Sequence, residues 1–370
     1  MFKGLSRLTG VVMLACLVTS TAARAEVGKQ IYSGTLGSSL IVWELNTDDP
    51  NEVSGRYFYQ KYRRDLLLSG AKDGTELNLH ESRDLNNHGT SLPSIHLRPT
   101  PHGWSGEWTS PEGKVLKIAL EQAKLPPIPS DTLPYLATLL DTAPYDFLRL
   151  QGMKLKQGKT EVFMGYTLQW WSEPQSKMQL FEVVSGYPAE QRRRINQQLM
   201  GRLWQQVVNF HECLTGYGMT NYSQKADPLW MSPSVLSVNI NAETNCGGNY
   251  SDENDMPFNL DAKTGKALAL EDVLRIGQDE PQALAPWLVA QLSALYPDEV
   301  TTATDRNDSC AYDEEQPWRS PSWYFTDKGI KLLPYFPHNE TMCRSVEWSV
   351  LPYSLIKQHP GAQKLELPKG

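Results

Sequence analysis

Asp252, Glu253 and Asp255 put three carboxylates into four positions, directly after Asn249 and Tyr250 and the Gly247-Gly248 break. Oxygen ligands so grouped could hold a hard cation, trade protons with a substrate, or meet a basic surface. Calcium needs a glycine at the loop bend and a distal bidentate Glu, and neither is present. Asp305-Arg306-Asn307-Asp308-Ser309 has oxygen ligands at alternate positions but no supporting glycine either, so no metal is expected. A carboxylate pair for glycosidic chemistry depends on a separation that sequence does not display. No Gly-x-Ser-x-Gly, His-Glu-x-x-His, phosphate-gripping glycine loop or dinucleotide fingerprint occurs, so no catalytic residue and no cofactor is assigned. The seven histidines (80, 88, 96, 102, 211, 338, 359) are scattered without metal-ligand spacing. His211, at the end of a helix, reads as a cap for the macrodipole. What remains for Asp252, Glu253 and Asp255, with Asn249 and Tyr250, is recognition of a basic partner.

The acids are positioned by the stretch from Leu236 to Leu274. Leu236, Val238 and Ile240 alternate with Ser237, Asn239 and Asn241, which predicts a strand. The acids then form a loop, a second short strand follows at Met256–Leu260, and Asp261 to Gly265 is a turn. Leu268, Leu270, Val273 and Leu274 return the chain to a core.

The first 25 residues combine Lys3 and Arg7, an apolar run from Leu8 to Val18, and Ala23-Arg24-Ala25. This is the plan of a secretory leader, too short for a lasting membrane span. Cys16 invites a lipoprotein reading, but the apolar run continues past it to the better cut site. The formal charge of −7 becomes −10 without Lys3, Arg7 and Arg24. That surface repels nucleic acid and anionic lipid and suits a basic protein. The remaining cysteines, Cys213, Cys246, Cys310 and Cys343, lack any Cys-x-x-Cys pair and read as two disulfides in an oxidising, exported setting, periplasmic or extracellular. Of three connectivities, Cys213–Cys246 with Cys310–Cys343 is preferred, each closing a loop between neighbouring elements.

Residues 26–122 read as an all-β meander or small barrel. Strands are expected at Leu40–Leu45, Val53–Tyr59, Leu66–Ser69, Leu77–Leu79, Ser94–Leu97, Gly103–Trp108 and Val115–Leu120. Gly34–Val42 resembles Gly89–Leu97, and Ser54-Gly55-Arg56-Tyr57 resembles Ser105-Gly106-Glu107-Trp108, a faint repeat about fifty residues apart. The aromatics Trp43, Tyr57, Tyr59, Trp104 and Trp108 either fill this barrel or line a ligand cup, and filling is the preferred reading.

Residues 123–147 form a boundary: the stiff Leu125-Pro126-Pro127-Ile128-Pro129, then a short helix capped by Ser130 or Asp131 and ending near Leu140. Residues 148–365 form the second domain. A hairpin of Leu148–Lys156 and Thr160–Trp171 turns at Gln157-Gly158, and Met178–Val184 adds a strand. A helix over Ala189–Cys213 repeats Ile195, Leu199, Leu203 and Val207, with Arg192–Arg194 on its solvated side. A second helix covers Pro286–Tyr296, and strands close the chain at Trp323–Thr326, Ile330–Phe336 and Val346–Val350. The fold class is α+β: the N-terminal antiparallel meander or barrel, then a mostly antiparallel sheet with two helices on one face.

This second domain resembles an exported family of largely unknown function, typified by the lysozyme-binding extracellular domain of the anti-sigma-V factor and also found fused to cell-wall deacetylases. The marks are Tyr187-Pro188 followed by a helix with Asn196, the strand ending in Gly247-Gly248, and a turn of Asp261, Thr264, Gly265, Lys266, Leu268, Leu270 and Asp272. Phe325–Ile330 and Leu351–Leu355 complete the pattern. Two features depart from it: Asn249-Tyr250 stands where a His often follows the Gly-Gly, and the Cys310 and Cys343 pair is a variant staple across Pro334–His338. The resemblance implies the fold, a cell-envelope location and binding of a lysozyme-type hydrolase. Residues 26–122 lie outside it, and there is no deacetylase domain. The expectation is a non-enzymatic exported binding protein. The alternative is an envelope hydrolase or small-molecule binder that uses the aromatic β-domain.

Overall fold

The computed structural model describes residues 28–82, 91–214, 220–247, 251–277, 281–304 and 310–367. The fold is α+β, and its strands pair antiparallel throughout the described residues. Eight strands close a barrel in chain order: β1 (Lys29–Leu36), β2 (Ser39–Asn46), β3 (Val53–Tyr59), β4 (Asp65–Asp73), β5 (Glu76–Ser82), β6 (Ser94–Thr100), β7 (Gly103–Thr109) and β8 (Val115–Gln122). The strand β1 was not foreseen, and it closes the barrel by pairing with both β2 and β8. Closure removes both edges of a sheet that would otherwise stay open to self-association.

Period-two alternation turns Ile41, Trp43, Leu45, Tyr57, Leu68, Leu79 and Leu97 into the barrel's own core. Trp43 and Tyr57 are fully buried and stack with ring centroids 4.9 Å apart. The hydroxyl of Tyr57 donates to Glu81, as does Trp108 Nε1 at 2.7 Å. Burial and then the Glu81 charge push the Tyr57 pKa far up, so the ring stays a neutral donor. Half of the faint repeat has structural content. Gly55 and Gly106 occupy matching inward positions on β3 and β7, where a Cβ would run into the carbonyl oxygens of Glu44 and His96. Tyr57 and Trp108, two positions on, converge on Glu81. The other half is out of register, since Leu40 is exposed whereas its counterpart Ile95 is buried.

Two helices follow, α1 (Pro134–Thr142) and α2 (Pro144–Leu150), each with proline in its first turn. Proline is preorganised for that position and lacks the N–H that would go unbonded there. No side chain caps α1, so Ser130 and Asp131 do not serve as predicted. The strand expected from Leu148 is instead the last turn of α2. The hairpin is β9 (Lys156–Phe163) and β10 (Tyr166–Ser172), turning at Met164-Gly165, both at positive φ, and Gln157-Gly158 lies within β9. The sheet is completed by β11 (Gln179–Ser185), and α3 (Ala189–Cys213) packs on it with Ile195, Leu199, Leu203 and Val207 fully buried.

The centre is a long hairpin of β12 (Asn221–Met231) and β13 (Val235–Asn245), extended by β14 (Asp252–Asp255) and β15 (Phe258–Asp261), both paired with β13. The helices α4 (Leu270–Val273), α5 (Leu284–Leu295) and α6 (Pro297–Thr304) lead to a last sheet of β16 (Ser322–Phe325), β17 (Gly329–Leu333) and β18 (Val350–Pro352), then α7 (Tyr353–Gln358). The single sheet expected for the second half is thus three sheets. They gather around two cores, and β13 feeds both: Leu236, Val238 and Ile240 enter one, Val235 the other. Both disulfides form, Cys213–Cys246 and Cys310–Cys343, each closing 33 positions of chain. Among the described residues, no helix is long and apolar enough to cross a membrane.

Candidate functional site: an acidic strand edge beside a groove

The acids foreseen as a loop are β14 itself. Its register sets Asp255 opposite Asn241, Asn254 opposite Ala242, Glu253 opposite Glu243 and Asp252 opposite Thr244. The cause lies in the neighbour: β13 is long and regular, and it offers a pairing edge that local composition did not announce. Asn249 and Tyr250 lie outside the described residues, as does Asp305 to Ser309.

Alternation splits the acids between two faces. On one face, Arg344 Nη1 donates to Asp252 Oδ1 and Asn254 Oδ1, both at 2.9 Å, and Arg344 Nε donates to the Phe336 carbonyl at 2.8 Å. His338 Nδ1 stands 3.3 Å from Asp252 Oδ1. Burial works against the Asp252 charge, but Asn254, His338 and Arg344 outweigh it and hold the carboxyl below the usual range. Asp252 is therefore a structural anion, not a free one. On the other face Glu253 is exposed, accepting from Asn241 Nδ2 at 3.1 Å, while Asp255 accepts from Asn239 Nδ2 at 2.6 Å and Asn241 Nδ2 at 3.2 Å. Glu243 and Asp227 extend this face, and the nearby cation Lys225 is tied to Asp227 at 2.9 Å.

A groove of about 480 Å³ runs along β14. Its far wall carries Tyr335 and Met342, 61% and 72% exposed. The Cys310–Cys343 disulfide and a bond from Tyr312 Oη to the Cys343 carbonyl at 2.9 Å hold that wall in place. Sequence reading missed Arg344, His338, Tyr335 and Met342; the only local signal was their closeness to Cys343. Among the described residues, no three His, Cys, Asp or Glu side chains are grouped to hold a metal ion.

Another set of perturbed ionisable groups lies between the barrel and α2. Arg149 has no exposed surface; its Nη2 meets Asp65 Oδ2 at 2.8 Å and its Nε meets Asp146 Oδ1 at 3.2 Å. Arg56 bridges Glu44, Asp65 and Asp146 at 3.0, 3.4 and 3.3 Å. Burial pulls the Arg149 pKa down, yet Asp65, Tyr145 and Asp146 together raise it above its ordinary value. With the Arg149 and Asp65 side chains fully buried, this cluster joins the two halves of the chain. His211 borders it and corrects the expected capping role. The ring is 3% exposed and neither nitrogen has a hydrogen-bond partner. Burial, followed by Arg149, Arg63 and Arg64, lowers its pKa to about 3, so it packs as a neutral ring.

No known family profile matches the chain, and no curated protein does. Among solved structures, the chain is similar to a member of the DUF3298 family from Bacteroides fragilis NCTC 9343, determined at 2.30 Å. The match covers 57% of this chain and 95% of that one, at 14% identity and a TM-score of 0.36. A likeness that loose carries no argument about function.

Proposed function

We propose that this chain is an exported, non-enzymatic binding protein of the cell envelope whose acidic strand edge engages a basic protein, a lysozyme-type cell-wall hydrolase being the first candidate. The observation that carries the reading is β14. It sets Glu253, Asp255 and, across the ladder, Glu243 on one open face, beside a groove with two exposed apolar side chains. Export is supported by the leader-like start and by the two disulfides, which persist in oxidising compartments. Carboxylates on an open face steer a cationic partner and select against anionic ones, and their effect fades with salt.

The test is biolayer interferometry of residues 26–370 against a basic lysozyme, from about 20 mM to about 300 mM salt. Affinity should drop at least about tenfold over that range, and Glu253→Gln with Asp255→Asn should weaken it at low salt. Asp252 is left intact because it anchors Arg344. No binding by the unaltered protein at low salt sinks the proposal.

A further inference from the structure

The open side of β14 is a second feature of this site, independent of its charge. Met256 N donates to the Ile240 carbonyl at 2.9 Å and Ile240 N to the Met256 carbonyl at 3.4 Å, so these two residues exchange both bonds. Antiparallel ladders alternate, and the next bonded pairs are therefore Asn254 with Ala242 and Asp252 with Thr244. The backbone N–H and C=O of Glu253 and Asp255 must then point away from β13. In the sheet order β12-β13-β14 no strand among the described residues pairs on that side, and a groove runs along β14. The opposite edge of the sheet is treated differently. There the Gln224 side chain accepts from Gln179 N at 2.9 Å and donates to its carbonyl at 3.0 Å, bridging β12 to β11.

We infer that β14 takes up an extended cationic segment of a partner protein as an added strand, its backbone bonding to Glu253 and Asp255 and its alternate Arg or Lys side chains meeting the carboxylate face. This rests on the function proposed above and adds the mode of binding. Strand addition uses main-chain bonds for affinity and side-chain pockets at every second residue for selection. The exposed Tyr335 and Met342 across the groove supply apolar contact for the stems or for the intervening residues. Charge decides the occupant. A second copy of this chain would bring Glu253 and Asp255 against the same acids, and like charges facing each other across a strand pair are unfavourable. Acidic side chains protect an edge from self-pairing, and the same side chains favour a basic strand.

The experiment uses residues 26–370 and a short fluorescent peptide of alternating Arg and Val, followed by anisotropy at low salt. Two isomers of equal charge are compared, one N-methylated on its Arg residues and one on its Val residues. Only one set of amides can face β14, so one isomer should bind like the parent while the other loses about tenfold or more. Equal behaviour of the two isomers overturns strand addition. Glu253→Pro removes an outward amide without breaking the ladder to β13 and should weaken the peptide more than Glu253→Gln does; equal weakening argues against the inference. If the peptide fails this pattern while basic lysozyme still binds with salt dependence, the mode falls and the proposed function stands. A dimer through this edge in sedimentation, blocking the peptide, places a second copy there and also overturns the inference.

Discussion

Arg149→Met isolates the charged junction between the barrel and the rest of the chain. Methionine keeps much of the stem volume against Phe58 and Tyr145, over whose rings the guanidinium lies at 4.9 and 5.1 Å. What disappears is the positive charge and its three donors, to Asp65, Asp146 and the Arg63 carbonyl. Asp65 keeps the Tyr145 hydroxyl at 2.8 Å, but Arg56 alone then faces Glu44, Asp65 and Asp146. Two of these carboxylates have almost no contact with water. Removing one member of a buried ionic set costs about 3–5 kcal/mol, because a desolvated charge is left uncompensated. Urea unfolding followed by tryptophan fluorescence measures the loss. The same substitution made on an Asp65→Asn background should cost clearly less, since the stranded charge is gone. A loss under about 1 kcal/mol, or the same loss on both backgrounds, would refute the reasoning, because that is how a solvated surface pair behaves.

Two further predictions concern buried bases. The folded-state pKa of His211, about 3, lies below its unfolded value, so its contribution to stability is complete above pH 6.5 and is lost as pH falls toward 3. The stability of the unaltered protein relative to His211→Leu should therefore fall by up to about 1.4 kcal/mol per pH unit below 6.5; a difference independent of pH between 6 and 4 removes the argument. Lys331 is 5% exposed with no hydrogen-bond partner for Nζ, and burial, opposed by Glu347, lowers its pKa to about 8. A lowered lysine costs stability at pH 7, and the cost is relieved as pH rises from 8 toward 10.5. Lys331→Met should accordingly stabilise at pH 7 by about 1–3 kcal/mol, with the gain fading near pH 10. Thermal melts at both pH values decide it, and a destabilised variant at pH 7 would show that Nζ has a partner after all.

Some of the fold was legible because the signal is local. The α3 stripe repeats every four residues from Ile195 to Val207, and both ends of the 25-residue helix fall where the sequence places them. The barrel strands alternate and are separated by turn residues. Other elements lacked any such mark. Pro144 opens α2 in a stretch whose apolar residues also suit a strand, and the outcome rests on Tyr145 and Arg149 finding Asp65, some eighty positions away, and on Asp146 finding Arg56. In the candidate site, the acids and the cysteines were visible as residues. That Asp252 is held by Arg344, 92 positions later, while Glu253 stays open was not.

The sequence by itself determined where α1, α3, α5 and most strands form, that the four cysteines join as two disulfides, and that the chain is α+β with a β-rich beginning. Periodicity and turn chemistry act between near neighbours, so the chain carries that information in itself. The tertiary structure alone decided that the acids form a sheet edge, which of them are neutralised, and that a neutral His211 and the ion cluster lie between the two halves. Those outcomes depend on which distant charges share a dry space and which backbone groups are left without a ladder partner, and both are set only when remote segments meet.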